Sequence, residues 1–166
     1  MPDDKKCKIV VFGAFGAGKT TLIKTLDPAS SHVEAQCSGG TTTIALDYGR
    51  VQANGIHIHI FGTPGQERFE FAREIIGRGM DGAILLVDTT NPVDDLIHHL
   101  YDSLAAAGIP FVMFLNRCDS VGAQPELIQK EFSTAVTARV SAIDRKQSLD
   151  ALCAFAQTLP PHSNRR

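Results

Sequence analysis

The chain has 166 residues, 43% of them hydrophobic and 20% charged, with a formal net charge of -2. That length suits one domain able to bury roughly 70% of the surface its unfolded chain exposes, and the ordinary apolar content excludes a disordered protein. The mildly acidic balance, with a pI of 6.3, excludes the broad basic face that nucleic acid requires, so nucleic acid is not expected as a partner.

Residues 8–13 form a β-branched apolar run closed by glycine and predict a buried strand. Residues 19–26 predict a helix that stops at Asp27-Pro28, because the residue before proline is pushed out of the helical region. Residues 27–42 carry Ser, Gly and Thr without a clear period and read as a long functional loop. Residues 43–52 and 56–61 are expected to pair as a hairpin across Ala53-Asn54-Gly55, since Asn and Gly tolerate the positive φ of a tight turn. Ile56, Ile58 and Ile60 alternate with His57 and His59, which places the isoleucines on one face and the histidines on the other. Two histidines with no third ligand nearby do not make a metal site.

Residues 62–66 form a second loop, followed by a helix over 68–76. Residues 83–87 are a buried strand ending at Asp88. Asn91-Pro92 predicts a helix start, with Asn91 as N-cap, and Gly108 its end. A strand over 109–115, a short helix over 126–132, a strand over 135–140 and a last helix over 149–159 complete the chain. This order predicts a doubly wound, three-layer α/β domain spanning 1–166, with its core over 6–159. Its six-stranded sheet is mostly parallel with one antiparallel strand, and helices cover both faces. Ligands on such sheets bind beyond the carboxyl ends of the strands. The loops at Gly13, Gly62, Asp88 and Asn116 all follow such ends.

Gly13-Ala14-Phe15-Gly16-Ala17-Gly18-Lys19-Thr20 matches G-x-x-x-x-G-K-[ST] in full, between a strand and a helix. Glycines let the backbone close around phosphate oxygens, and the N–H groups of the turn supply partial positive charge. Lys19 is expected on the β- and γ-phosphates and Thr20 on Mg²⁺, with Thr21 next along the same turn. The motif indicates a nucleoside triphosphate and does not separate ATP from GTP.

Asn116-Arg117-Cys118-Asp119 resembles the N-K-x-D element of Ras-like GTPases, with Arg in place of Lys. The resemblance implies that the Asp119 carboxylate accepts hydrogen bonds from guanine N1–H and the 2-amino group. Adenine has neither donor, and an unpaired buried carboxylate implies discrimination on the order of 10³-fold or more. Asn116 would tie this loop to the phosphate loop, and the Arg117 stem would cover the base. Ser141-Ala142-Ile143 resembles the S-A-K element, with Ile143 in place of Lys.

Thr41-Thr42-Thr43-Ile44-Ala45-Leu46-Asp47 resembles switch I of that family. Alignment on T-I-x-x-D selects Thr43 as a second Mg²⁺ ligand, with Thr42 in reserve. Gly62-Thr63-Pro64-Gly65-Gln66-Glu67-Arg68-Phe69 resembles switch II. There the Gly65 N–H would meet the γ-phosphate and Gln66 would orient the attacking water. Gly62 stands where the family carries an Asp that holds Mg²⁺ through water. A similar loss, with Pro-Gly-Gln following, marks prokaryotic Ras-like proteins of the gliding-motility type, and that likeness covers nearly the whole chain. It implies weaker Mg²⁺ dependence or slow hydrolysis. Phe15 replaces a Ras glycine near the γ-phosphate, which implies stimulation by some means other than an inserted arginine. Arg68 and Arg73, near Gln66, could supply charge in cis, but arginines that start a helix are more often solvated.

The resemblance therefore implies GTP and GDP as bound nucleotides, Mg²⁺ as cofactor, and hydrolysis carried by Gln66, Lys19 and Thr43. Effector and regulatory proteins would bind through residues 30–50 and 62–79. Two alternatives stand beside it: a guanine-nucleotide-binding adaptor that does not hydrolyse, and an ATP-using P-loop kinase, for which the chain offers no lid. A cytoplasmic location is expected. Cys7, Cys37, Cys118 and Cys153 form no CxxC pair and read as reduced thiols, with oxidation at Cys118 an alternative. No leader or membrane anchor is expected, since neither a Gly after Met1 nor a C-terminal Cys is present.

Overall fold

In the computed structural model, which describes residues 5–37, 39–40, 42–63, 74–76 and 78–160, strand β1 (Lys5–Phe12) lies inside a sheet of seven strands. The others are β2 (Ser31–Cys37), β3 (Thr42–Ala53), β4 (Ile56–Gly62), β5 (Gly82–Asp88), β6 (Phe111–Asn116) and β7 (Thr137–Val140). They lie in the order β2-β3-β4-β1-β5-β6-β7. β3 pairs antiparallel with both neighbours and every other pair is parallel, so β3 alone runs against the rest. The expected fold class holds, with seven strands instead of six.

The additional strand corrects the reading of residues 27–42 as a loop. His32, Glu34 and Gln36 alternate with Val33, Ala35 and Cys37, a period of two over seven residues. Gly39 and Gly40, at φ 70 and 91, turn the chain so that Cys37 pairs with Thr42. Val33 and Ala35 pack, partly buried, against the apolar cluster on one face of the sheet.

Alternation along β1 serves two cores. Ile9 and Val11 pack with Leu22 and Ile23 of α1 (Lys19–Leu26) and with Leu152 and Phe155 of α4 (Arg145–Gln157). Val10 and Phe12 pack on the other face with Ile97, Leu100 and Leu104 of α2 (Asp95–Ala107), and Ile128 of α3 (Pro125–Glu131) joins that cluster. A strand buried on both faces must be apolar throughout, which is why β1 and β5 read as continuous runs.

The helix expected from Asn91 begins later. Asp94 is the N-cap, its Oδ1 accepting the Ile97 N–H at 3.0 Å, while Asn91 Nδ2 donates to Asp88 Oδ2 at 3.0 Å. α4 begins earlier than expected, because Asp144 caps it through the Gln147 N–H at 3.0 Å, ahead of the first apolar residue of its inner stripe. The Asn54-Gly55 turn forms as expected, and its register pairs Ala53 with Ile56 and Asp47 with Gly62. At the opposite end of the sheet from the glycine loop, Lys5 Nζ donates to the Ala156 carbonyl of α4 at 2.8 Å, joining positions 151 residues apart in sequence. Residues 74–76 are helical; the remainder of the helix expected over 68–76, and most of the loop before it, lies outside the described residues. No helix of the described residues is long and apolar enough to cross a membrane.

Candidate nucleotide-binding site

The parallel strands β1, β5 and β6 deliver their following loops to one edge of the sheet. Gly13 to Gly18 leave β1 and wrap into α1, with Gly18 at φ 107. A Cβ at residue 18 would lie 2.8 Å from Asn116 Nδ2, so only glycine allows the close approach of these two loops. Lys19 is buried and its Nζ donates to the Gly13 carbonyl, which folds the side chain back over the loop. This turn and α1 line a cavity of about 430 Å³ with Thr20, Thr21, Asp47, Gly62, Thr63 and Arg117. Phe15 lies at its rim, 80% exposed.

A second cavity, of about 380 Å³, opens beyond it. Gly18, Thr21 and Arg117 line both, and Asn116, Asp119, Ser141, Ala142 and Ile143 complete the second. Asn116 fixes their relative position. Its buried side chain donates from Nδ2 to the Ala17 carbonyl at 3.0 Å and accepts the Ala142 N–H on Oδ1 at 3.1 Å. One amide therefore joins the glycine loop, the end of β6 and the loop after β7. Thr89 reinforces it, donating from N and Oγ1 to the Asn116 carbonyl at 3.1 and 2.8 Å. Asp119 is exposed at the wall of the second cavity, available to donors within it.

Arg117 sits at φ 64, a left-handed conformation uncommon for a residue other than glycine. Its Nη1 donates to Asp88 Oδ2 at 2.6 Å, which spans the ends of β5 and β6. Burial alone would raise the Asp88 carboxyl, but hydrogen bonds from the Thr90 hydroxyl and N–H, and then Arg117, outweigh it and hold the group below the usual carboxylate range. The cationic head of Arg117 is thus tethered, while its stem borders both cavities. Cys118 donates to the Leu115 carbonyl at 3.2 Å and burial pushes its thiol up, the opposite of what a reactive cysteine needs.

Thr20 Oγ1 donates to Asp47 Oδ2 at 2.6 Å, and His32 Nδ1 lies 3.0 Å from Asp47 Oδ1. Asp47 and His32 were not singled out as site residues in the sequence. The signal for Asp47 was the hairpin itself, because counting outward from Asn54-Gly55 places residue 47 opposite residue 62. Thr43 is exposed on β3 opposite Gln36 and does not line the cavity. It lies four residues from Asp47 along the strand, roughly 13 Å at ordinary strand rise. Gly65, Gln66, Arg68 and Arg73 lie outside the described residues. Among the described residues no three His, Cys, Asp or Glu side chains converge into a metal cage, His57 and His59 included.

Comparison with known proteins adds a family. Residues 4–159 match the family described as Elongation factor Tu GTP binding domain. An uncharacterized protein of Methanocaldococcus jannaschii is 38% identical over 112 residues, which cover 68% of this chain and 70% of that protein. Translation initiation factor IF-2 of Persephonella marina is 30% identical over 125 residues, 75% of this chain but only 14% of the factor, so the chain spans a small part of that relative's length. Among solved structures, the G domain of the T. maritima FeoB iron transporter aligns with a TM-score of 0.69 at 19% identity, over 92% of this chain and 97% of that one. Translation elongation factor SelB from Methanococcus maripaludis, in complex with the GTP analogue GppNHp, aligns with a TM-score of 0.68 at 17% identity, over 96% of this chain and 36% of that one. At these identities the structural likeness is one of fold.

Proposed function

The chain belongs to the Elongation factor Tu GTP binding domain family, and from that premise we propose that it binds GTP and GDP with Mg²⁺, hydrolyses GTP and acts as a conformational switch for partner proteins. One observation carries the reading: two contiguous cavities, one walled by the glycine loop and one by Asp119, held in fixed relation by the two hydrogen bonds of Asn116.

A triphosphate seated in the first cavity meets the N–H groups of the glycine loop and the Lys19 ammonium. Charge developing on the γ-phosphate is stabilised there by groups already in place. The base enters the second cavity, where the Asp119 carboxylate accepts from guanine and has no donor to accept from in adenine. Arg117, tethered to Asp88, closes the wall between the two. By the resemblance of residues 62–69 to switch II, Gln66 would orient the attacking water and the Gly65 N–H would meet the γ-phosphate. The residues present suit Mg²⁺: the Thr20 hydroxyl and the Asp47 carboxylate, both hard oxygen donors, line the cavity side by side, and Mg²⁺ commonly takes one or two protein oxygens and fills its shell with phosphates and water. When bound it would supply positive charge that offsets the negative charge developing on the phosphates. Residues 30–50 and 62–79 are the proposed partner-facing segments, and the resemblance of Gly62 with Pro64-Gly65-Gln66 to the prokaryotic gliding-motility type supports reading the protein as a Ras-like switch of that type, acting in the cytoplasm.

The test is direct. Calorimetry with GDP, GTP, ADP and ATP is expected to favour guanine by about 10³-fold, and Asp119→Ala to abolish most of that preference. Equal affinity for adenine nucleotides would refute the reading. The position of Thr43, away from Thr20, favours a second reading, an adaptor that holds nucleotide without turnover. Single-turnover release of phosphate from bound GTP separates the two.

A further inference from the structure

We propose that Asp47 is the metal-positioning carboxylate of this site, supplying from the neighbouring strand the group that Gly62 lacks. The proposal rests on the nucleotide-binding reading above and deepens it.

Three observations converge. Asp47 is the cross-strand partner of Gly62 in the β3–β4 hairpin, so its side chain leaves the sheet next to the position where residue 62 would project one. Its Oδ2 accepts a hydrogen bond of 2.6 Å from Thr20 Oγ1, the hydroxyl expected to hold the cation. Its side chain is only 13% exposed, and His32 Nδ1 at 3.0 Å holds the other oxygen, which fixes the carboxylate with Oδ2 turned towards Thr20. Asp47 and Thr20 both line the phosphate cavity. A hydroxyl, a fixed carboxylate, phosphate oxygens and water make the hard-oxygen set that Mg²⁺ prefers.

The same geometry explains the glycine. A Cβ at residue 62 would lie 2.6 Å from Ile23 Cδ1 and 3.3 Å from Asp47 Cβ. An aspartate at 62 and the present Asp47 would compete for one space, and Gly62 leaves that space to Asp47. Metal dependence is therefore kept and carried by Asp47, instead of being weakened as the sequence alone implied.

The experiment uses the full chain and fluorescent GDP, with affinity measured in Mg²⁺ and in EDTA for the wild type, Asp47→Asn and Asp150→Asn. Asp150 is an exposed carboxylate on α4, paired with Lys146 four residues before it, and controls for net charge. Mg²⁺ is expected to tighten wild-type binding, and this tightening is expected to shrink at least tenfold in Asp47→Asn, with affinity in EDTA within threefold of wild type. Mn²⁺ titration of the GDP complex, followed by EPR, is expected to show the same tenfold weakening. Undiminished tightening in Asp47→Asn, an equal loss in EDTA, or an equal loss in Asp150→Asn would each overturn the proposal. So would a wild type that binds GDP without any tightening by Mg²⁺, which leaves the guanine reading standing. A wild type that binds no guanine nucleotide refutes that reading itself.

Discussion

Removing the Asn116 amide should separate the two halves of the site and cost stability as well as binding. Asn116→Ala deletes a donor to the Ala17 carbonyl at 3.0 Å and an acceptor of the Ala142 N–H at 3.1 Å, both buried. Each buried backbone group left without a partner costs ~1–3 kcal/mol, so the pair amounts to ~4 kcal/mol. That is a large share of a total of about 5–15 kcal/mol. With a urea slope of ~2 kcal/mol per molar, the unfolding midpoint should fall by ~2 M. Urea titration followed by far-ultraviolet circular dichroism measures it. Asn116→Asp provides a second arm: it keeps the acceptor for Ala142 but sets a buried carboxylate against the Ala17 carbonyl, so its loss should be the larger. GDP affinity should fall in both, because the glycine loop and the loop after β7 lose their common anchor. A shift in Asn116→Ala below ~0.25 M, the range of an ordinary surface substitution, would refute the role assigned to the amide.

Two further predictions concern the same edge of the sheet. Asp88 is held below the usual carboxylate range despite its burial, by Thr90 and then Arg117. A depressed folded-state value contributes stability above the unfolded range that is lost as pH falls through the folded one, so stability should drop on acidification below about pH 4. Asp88→Asn should flatten that part of the urea-midpoint profile, and parallel acid limbs in the two proteins would contradict the assignment. Gly18→Ala should destabilise more than Gly16→Ala in thermal unfolding. Both place a side chain at positive φ, at ~1–2 kcal/mol of strain, but only residue 18 has Asn116 Nδ2 within 2.8 Å, while nothing lies within 4 Å of a Cβ at residue 16. Equal losses would mean that the contact does not matter.

The glycine loop, the Asn54-Gly55 hairpin and the buried strands were legible in the sequence because each has a strong local cause: a phosphate-binding turn, a positive-φ pair, an apolar run. β2 is hard to read in the sequence because Ser31–Cys37 is short and polar on one face, and its turn signal, Gly39-Gly40, sits within a Ser-, Gly- and Thr-rich stretch. Asn91-Pro92 carries the stronger local signal for the start of α2, whereas in the structure Asp94 reaches the Ile97 N–H at 3.0 Å. Asn116 was assigned its bridging role from resemblance, and the two hydrogen bonds give that role a geometry. Asp47 was legible only in retrospect. A carboxylate one strand away from a missing ligand leaves no trace in linear spacing unless the hairpin register is counted. That Arg117 engages Asp88 was not legible either, because the pairing depends on β5 and β6 ending side by side.

The Lys5 contact with the Ala156 carbonyl has a consequence for architecture. The first strand and the last helix are clasped at one spot, on the side of the sheet away from the glycine loop. A polypeptide can therefore approach and depart through a single doorway without crossing the nucleotide cavities. A unit built in this way can be spliced into the middle of a much longer protein with short tethers and little strain.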